Sequence, residues 1–439
     1  MAYDDDIVYL KILVFSFCSS LVAKHLPNRD VIASCIGFTL VTTVCGWHIL
    51  YSLICVFVNL LLLHVSHSRK LPLLSFTFTF SYLMFFRCAH LLGLPKPLPH
   101  ANAVQLLMTL RCIGLAFEVC DARQAISDEM KSQIELPSLQ QAFHYYYNFA
   151  GLFTGPYYSY RVHADMVNTR AEQLAKIKMA PEVLPRLTIA PFFIAVMLLV
   201  DTYFPLQAVH TDAFYEENGF LFRLCYMVPV FVFLRMRVYT AWMLSEAACI
   251  ANGLGAYPAI SKPKAGQGPT DAEGLQKAVK SLASEEVVEY SFETIRNIDP
   301  YGCEFSDGFR SGMRSWNKSV QYWLAVYVYK RSPNAYRMAL TMLVSAFWHG
   351  IHPGYYLSFM TIPLCTAAED VVLEKKKSRF RVWWWLVRQR GFEYMAMGFL
   401  LLSWGSTVRY WASIYFCVHA VAAAVLIYGL LGKGRVKSA

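Results

Sequence analysis

Long apolar runs separated by short polar connectors set the pattern of this chain. They cover residues 7–23, 31–45, 47–64, 71–94, 103–120, 187–204, 220–234, 238–253, 320–329, 338–368, 392–404 and 408–431. An α-helix needs about 20 apolar residues to cross roughly 30 Å of hydrocarbon, so these runs predict membrane helices. Several are too short to cross alone, and Gly46, Pro229 and the stretch 350–354 interrupt others. Broken helices are tolerated at membrane depth where they line a protein-enclosed cavity. The pattern predicts an all-α, polytopic integral membrane protein with about 10 or 11 crossings plus re-entrant and interfacial helices.

One segment departs from this pattern. Residues 261–290 open on Ser261-Lys-Pro-Lys-Ala-Gly-Gln-Gly-Pro-Thr270 and pass through Glu285 and Glu286. That composition predicts a solvated, partly disordered loop, on the same side as Arg235 and Arg237. No internal repeat or separable soluble domain is visible, so residues 1–439 read as a single domain.

Composition agrees. The chain is 56% hydrophobic and only 16% charged, against about 25% charged in soluble proteins. A mean hydropathy of +0.36 over the whole chain requires several spans. The net charge of +10 is what the cytosolic loops of any polytopic protein carry. It argues only weakly for an anionic substrate and not for nucleic acid. Lys375, Lys376, Lys377, Arg379, Arg381, Arg388 and Arg390 crowd one connector, and Lys433, Arg435 and Lys437 end the chain. Two spans separate these clusters, so both face one side, which the positive-inside rule makes cytosolic. The connector 205–219 has Asp212, Glu216 and Glu217 without Lys or Arg, as the opposite side should. The acidic N-terminus then leans to the lumen. The first apolar run lacks the basic flank of a cleavable signal and is expected to stay as an anchor. Twelve cysteines without a C-x-x-C pair read as small packing residues.

Chemistry concentrates in two places. His349 closes the apolar run Met338-Ala-Leu-Thr-Met-Leu-Val-Ser-Ala-Phe-Trp348-His349. If Arg337 marks the interface, His349 lies about 18 Å along a helix rising about 1.5 Å per residue, past mid-membrane. Gly350, Pro353 and Gly354 follow and should break the helix there. A neutral imidazole at that depth either sits satisfied by a carbonyl or acts as a general base. His352 forms an H-x-x-H pair with it, but no further ligand stands nearby to complete a zinc site, so no metal is expected. The second place is Asn317, in the aromatic frame Trp316-Asn-Lys-Ser-Val-Gln-Tyr-Trp323. Its amide is equally a helix cap or a donor to an oxyanion. An H-x-x-x-x-D pattern, His25 to Asp30, fits a Pro-containing connector better than a catalytic pair. A transporter would show inverted repeats and acidic residues at depth; the first is absent and the second are few.

Five segments together carry a resemblance. They are Thr154-Gly-Pro-Tyr-Tyr-Ser-Tyr-Arg161, Arg235-Met-Arg-Val-Tyr-Thr-Ala-Trp242, Arg296-Asn-Ile-Asp299, Gly312-Met-Arg-Ser-Trp-Asn317 and Ser345-Ala-Phe-Trp-His-Gly-Ile-His-Pro-Gly-Tyr-Tyr356. In this order they resemble the lysophospholipid branch of the membrane-bound O-acyltransferases, nearly end to end. The resemblance implies a helical fold around a catalytic tunnel, with His349 as base and Asn317 as its polar partner. Trp316, Arg314, Trp323, Ser345, Trp348 and His352 are the expected substrate-binding neighbours. It implies acyl-CoA as co-substrate, no resident cofactor and a lysophospholipid acceptor drawn from the membrane lipids. An arachidonoyl donor, a lysophosphatidylinositol acceptor and a multi-pass location in the endoplasmic reticulum follow from the resemblance alone. Neither sequence nor resemblance gives an oligomeric state.

Overall fold

The apolar runs become helices. The computed structural model describes residues 4–127, 136–284, 287–374 and 381–437; residues 375–380, with Lys375, Lys376, Lys377 and Arg379, and Glu285 and Glu286 lie outside them. Among the described residues the strands are one antiparallel pair, Tyr257–Pro258 with Tyr290–Ser291. The fold is all-α and integral to the membrane. Against an expectation of about 10 or 11 crossings, five helical stretches among the described residues are long and apolar enough: Asp4–Ala23, Arg29–Val65, Leu71–Leu92, Pro99–Gln124 and Ala180–His210. The pair Trp404–Ser413 and Cys417–Leu431, bent by 70°, makes a sixth if it is one span. Other helices fall short for reasons visible in their residues. Arg337–His349 has only 13, and Phe220–Ala251 holds Arg223, Arg235, Arg237 and Glu246.

Two compact units make up the chain. The first comprises Met1–Ala190, Ala241–Ile298 and Asn317–Tyr327. Its central helix is Pro99–Ser127, whose apolar window is 83% buried. Phe57, Leu73 and Leu74, on the helices Ile49–Val65 and Leu71–Cys88, instead stay exposed, as lipid-facing side chains must. Close approach is bought with glycine: a Cβ on Gly37 would stand 1.9 Å from the Tyr147 carbonyl oxygen. Arg111 is fully buried. Its guanidinium donates to the carbonyls of Tyr145, Tyr146, Asn148 and Ala150 and to the Tyr158 hydroxyl, at 2.8 to 3.1 Å. Those carbonyls belong to chain leaving a helix, where backbone acceptors lack intrahelical partners.

The first unit also contains residues 261–284, and here the expected irregular loop takes regular form. Asp271 caps the helix Ala272–Ala283 by accepting from Gly274 N at 2.9 Å, and that bond holds its carboxyl below its ordinary pKa. Upstream, Gly266 packs on the Tyr322 ring, donates to Thr294 O at 2.8 Å and accepts from Ser159 N at 3.1 Å. Gly and Pro look flexible in sequence, but these small residues let the strand of chain lie flat against its neighbours.

The second unit comprises Pro191–Thr240, Asp299–Trp316 and Val328–Ala439. Met227, Val230, Tyr394, Met397, Leu401, Tyr410, Trp411 and Ile414 form its core. The helix Phe220–Ala251 continues through Pro229, so the two short runs expected at 220–234 and 238–253 are one element. Its charge at Arg235 is tolerated because Glu304 pairs with it. The apolar stretch 338–368 does break as expected, into Arg337–His349 and Pro353–Glu374.

The charge pattern makes an expectation about sidedness. Cysteines introduced at Lys376 and Lys437, in a background without reactive native thiols, should both label from the cytosolic face of sealed microsomes. Labelling at one position alone would contradict placing both clusters on one side.

Candidate active site

Asn317 belongs to the first unit and His349 to the second. Asn317 immediately precedes the helix Lys318–Tyr327 and its carbonyl accepts from Gln321 N at 3.0 Å. The residue takes the left-handed conformation, φ +47°, which Asn tolerates better than most residues. A capping side chain would accept a hydrogen bond from one of the helix's first amides. Asn317 Oδ1 is buried and accepts none among the described residues. Asn297 serves that helix instead. Its carbonyl takes Lys318 N at 2.8 Å and its Oδ1 takes Ser319 N at 3.3 Å and the Ser319 hydroxyl. The helix-cap reading of Asn317 therefore fails, and its Oδ1 is left without a partner among the described residues. A non-glycine residue in this backbone region with an orphan buried oxygen is the kind of strain that gathers at functional sites.

His349 is the last residue of its helix. Extended backbone at Gly350 then turns the chain into Pro353–Glu374, with Pro353 at the first position, where its missing N–H is harmless. A Cβ on Gly350 would meet the Tyr355 ring at 2.4 Å, and one on Gly354 the Gly398 carbonyl at 2.2 Å. These contacts bring an aromatic wall around the imidazole. The rings of Trp348, Phe359, Phe399 and Tyr355 lie 4.8, 5.1, 5.2 and 6.0 Å away, centroid to centroid.

The remaining expected residues divide by exposure. Ser345 and Trp348 are buried on the His349 helix. His352 is exposed, its ring 6.1 Å from Tyr355. Arg314 is exposed on the short helix Phe309–Ser315, and Trp316 packs 6.0 Å from the Tyr239 ring. Trp323, expected to meet substrate, is fully buried in the first unit. Its indole N–H donates to Leu110 O at 3.0 Å. An open groove of about 1110 Å³ in the first unit is lined by Arg161, Asp165, Tyr257, Leu275 and Val279, among others. Asp30, Tyr160 and Arg161 of the patterns noted in the sequence line it, but none of the expected catalytic or substrate-binding residues does. Sequence reasoning quoted Asn297 within a motif without giving it a role and missed the ring pair Phe359 and Phe399, because their partners are distant in the chain.

Comparison with known proteins gives the class. Residues 31–418 match the membrane-bound O-acyltransferase family, and the chain belongs to it. The protein is an O-acyltransferase. Among its relatives, membrane-bound acylglycerophosphatidylinositol O-acyltransferase MBOAT7 of Homo sapiens is 44% identical, over 97% of this chain and 94% of the relative. The protein mboa-7 of Caenorhabditis elegans, under the same descriptive name, is 37% identical over 97% and 95%. Drosophila melanogaster frj is 32% identical over 99% and 94%.

Proposed function

We propose that this O-acyltransferase moves an acyl group from acyl-CoA to the sn-2 hydroxyl of lysophosphatidylinositol, with arachidonoyl as the preferred chain, in the endoplasmic reticulum. The observation that supports it most is the 44% identity, across nearly the whole chain, to a human acylglycerophosphatidylinositol O-acyltransferase. His349 takes the proton from the acceptor hydroxyl as its oxygen attacks the thioester carbonyl carbon. The Asn317 amide N–H₂ donates to the carbonyl oxygen as it gains negative charge. The C–S bond then breaks, CoA leaves as thiolate and recovers the proton from the imidazolium, and the ester remains on the phospholipid. Atoms and charge balance without an acyl-enzyme, a metal or a prosthetic group.

Headgroup choice tests the acceptor. With one acyl-CoA and purified protein, lysophosphatidylinositol should be acylated about tenfold or more faster than lysophosphatidylcholine or lysophosphatidylserine, because hydroxyl-reading polar groups left unpaired discriminate strongly. Faster transfer to either competitor would sink the inositol assignment and leave the acyl-transfer mechanism standing.

A further inference from the structure

We propose that Glu246 and Asn297 are positioning residues for Asn317, fixing where its amide stands without touching substrate. The inference rests on the reading of Asn317 as donor to the reacting carbonyl.

The relay lies wholly within the first unit. Glu246 is fully buried, and one carboxylate oxygen accepts from Asn297 N at 2.6 Å and Ile298 N at 3.0 Å. Its other oxygen takes Arg186 Nε at 2.8 Å. That anchors the chain Arg296-Asn-Ile-Asp299 to the helix Phe220–Ala251. Asn297 then holds Lys318 N and Ser319, the two residues that follow Asn317. The Ser319 hydroxyl is fixed from a third direction by Tyr157 N at 3.0 Å. A buried carboxylate persists only when fully satisfied, and here the groups that satisfy it are two consecutive amides beside the candidate donor. The Asn317 Oδ1 has no partner among the described residues, and its left-handed backbone adjoins the two residues that Asn297 holds. Displacing Asn297 therefore swings Asn317 while leaving the amide present.

A purely structural role and a positioning role predict different kinetics. Asn297→Ala is expected to lower kcat about 10- to 100-fold, as misplacement near 1 Å does, with KM for acyl-CoA little changed. Repeated in an Asn317→Gly background, the same substitution should change kcat by less than about twofold, since the group it positions is gone. Glu246→Gln keeps an acceptor oxygen for both amides and should retain most of the kcat that Glu246→Ala loses. If Asn297→Ala is not monodisperse, Ser319→Ala run in the same two backgrounds replaces it. Equal losses in both backgrounds, or a loss confined to KM, would overturn the positioning role alone. Full activity of Asn317→Gly by itself would overturn the donor reading and this inference with it.

Discussion

His349→Ala is expected to lose transfer activity by about 10²- to 10⁴-fold, the usual contribution of a positioned general base, while purifying as a monodisperse protein. The fold should survive because His349 is the last residue of its helix and partly exposed, its Trp348, Phe359 and Phe399 neighbours forming the packing around it. Removing the imidazole leaves a space among rings and no long helix undone. His352→Ala supplies the contrast. That side chain is exposed and meets only the Tyr355 ring among its ring contacts, so most of the activity should remain. A monodisperse His349→Ala protein keeping more than about a tenth of wild-type kcat would rule out the base assignment.

Replacing Asn317 should lower kcat about 10²-fold, the scale of one lost donor to a developing oxyanion, with acyl-CoA affinity less affected. The choice of replacement matters. At φ +47° an alanine adds backbone strain of about 1 kcal/mol, which glycine avoids. Asn317→Gly and Asn317→Ala should therefore share the loss in kcat and differ in thermal stability, glycine being the more stable. Weakened acyl-CoA binding with unchanged turnover would make Asn317 a donor-site residue and remove it from the chemistry.

Elements whose cause is local were legible in the sequence. Apolar runs of membrane length gave the first five helices, and Gly350, Pro353 and Gly354 announced the break that places His349 at a helix end. His349 and Asn317 stood out because each is polar within an apolar or aromatic setting. What stayed hidden depends on atoms brought from afar. Arg111 looks like a misplaced charge until four carbonyls from residues 145–150 surround it. Asn297 caps a helix that begins more than 20 residues later, so no capping pattern could reveal it. That the Trp323 indole meets the Leu110 carbonyl was likewise hidden, since a motif gives no sign of which way a side chain faces. The order in residues 261–284 comes from glycines fitting against Tyr322 and Tyr257, whereas composition reports only their freedom.

The central claim is direct acyl transfer from acyl-CoA to a lysophospholipid hydroxyl with His349 as base. It is tested most directly by following free CoA thiol and new diacyl phospholipid together, with purified wild-type protein, arachidonoyl-CoA and lysophosphatidylinositol. The expected result is one CoA released per phosphatidylinositol formed, no CoA release without acceptor, and neither product with His349→Ala. CoA release that proceeds without acceptor, or phospholipid formation undiminished in His349→Ala, would contradict it.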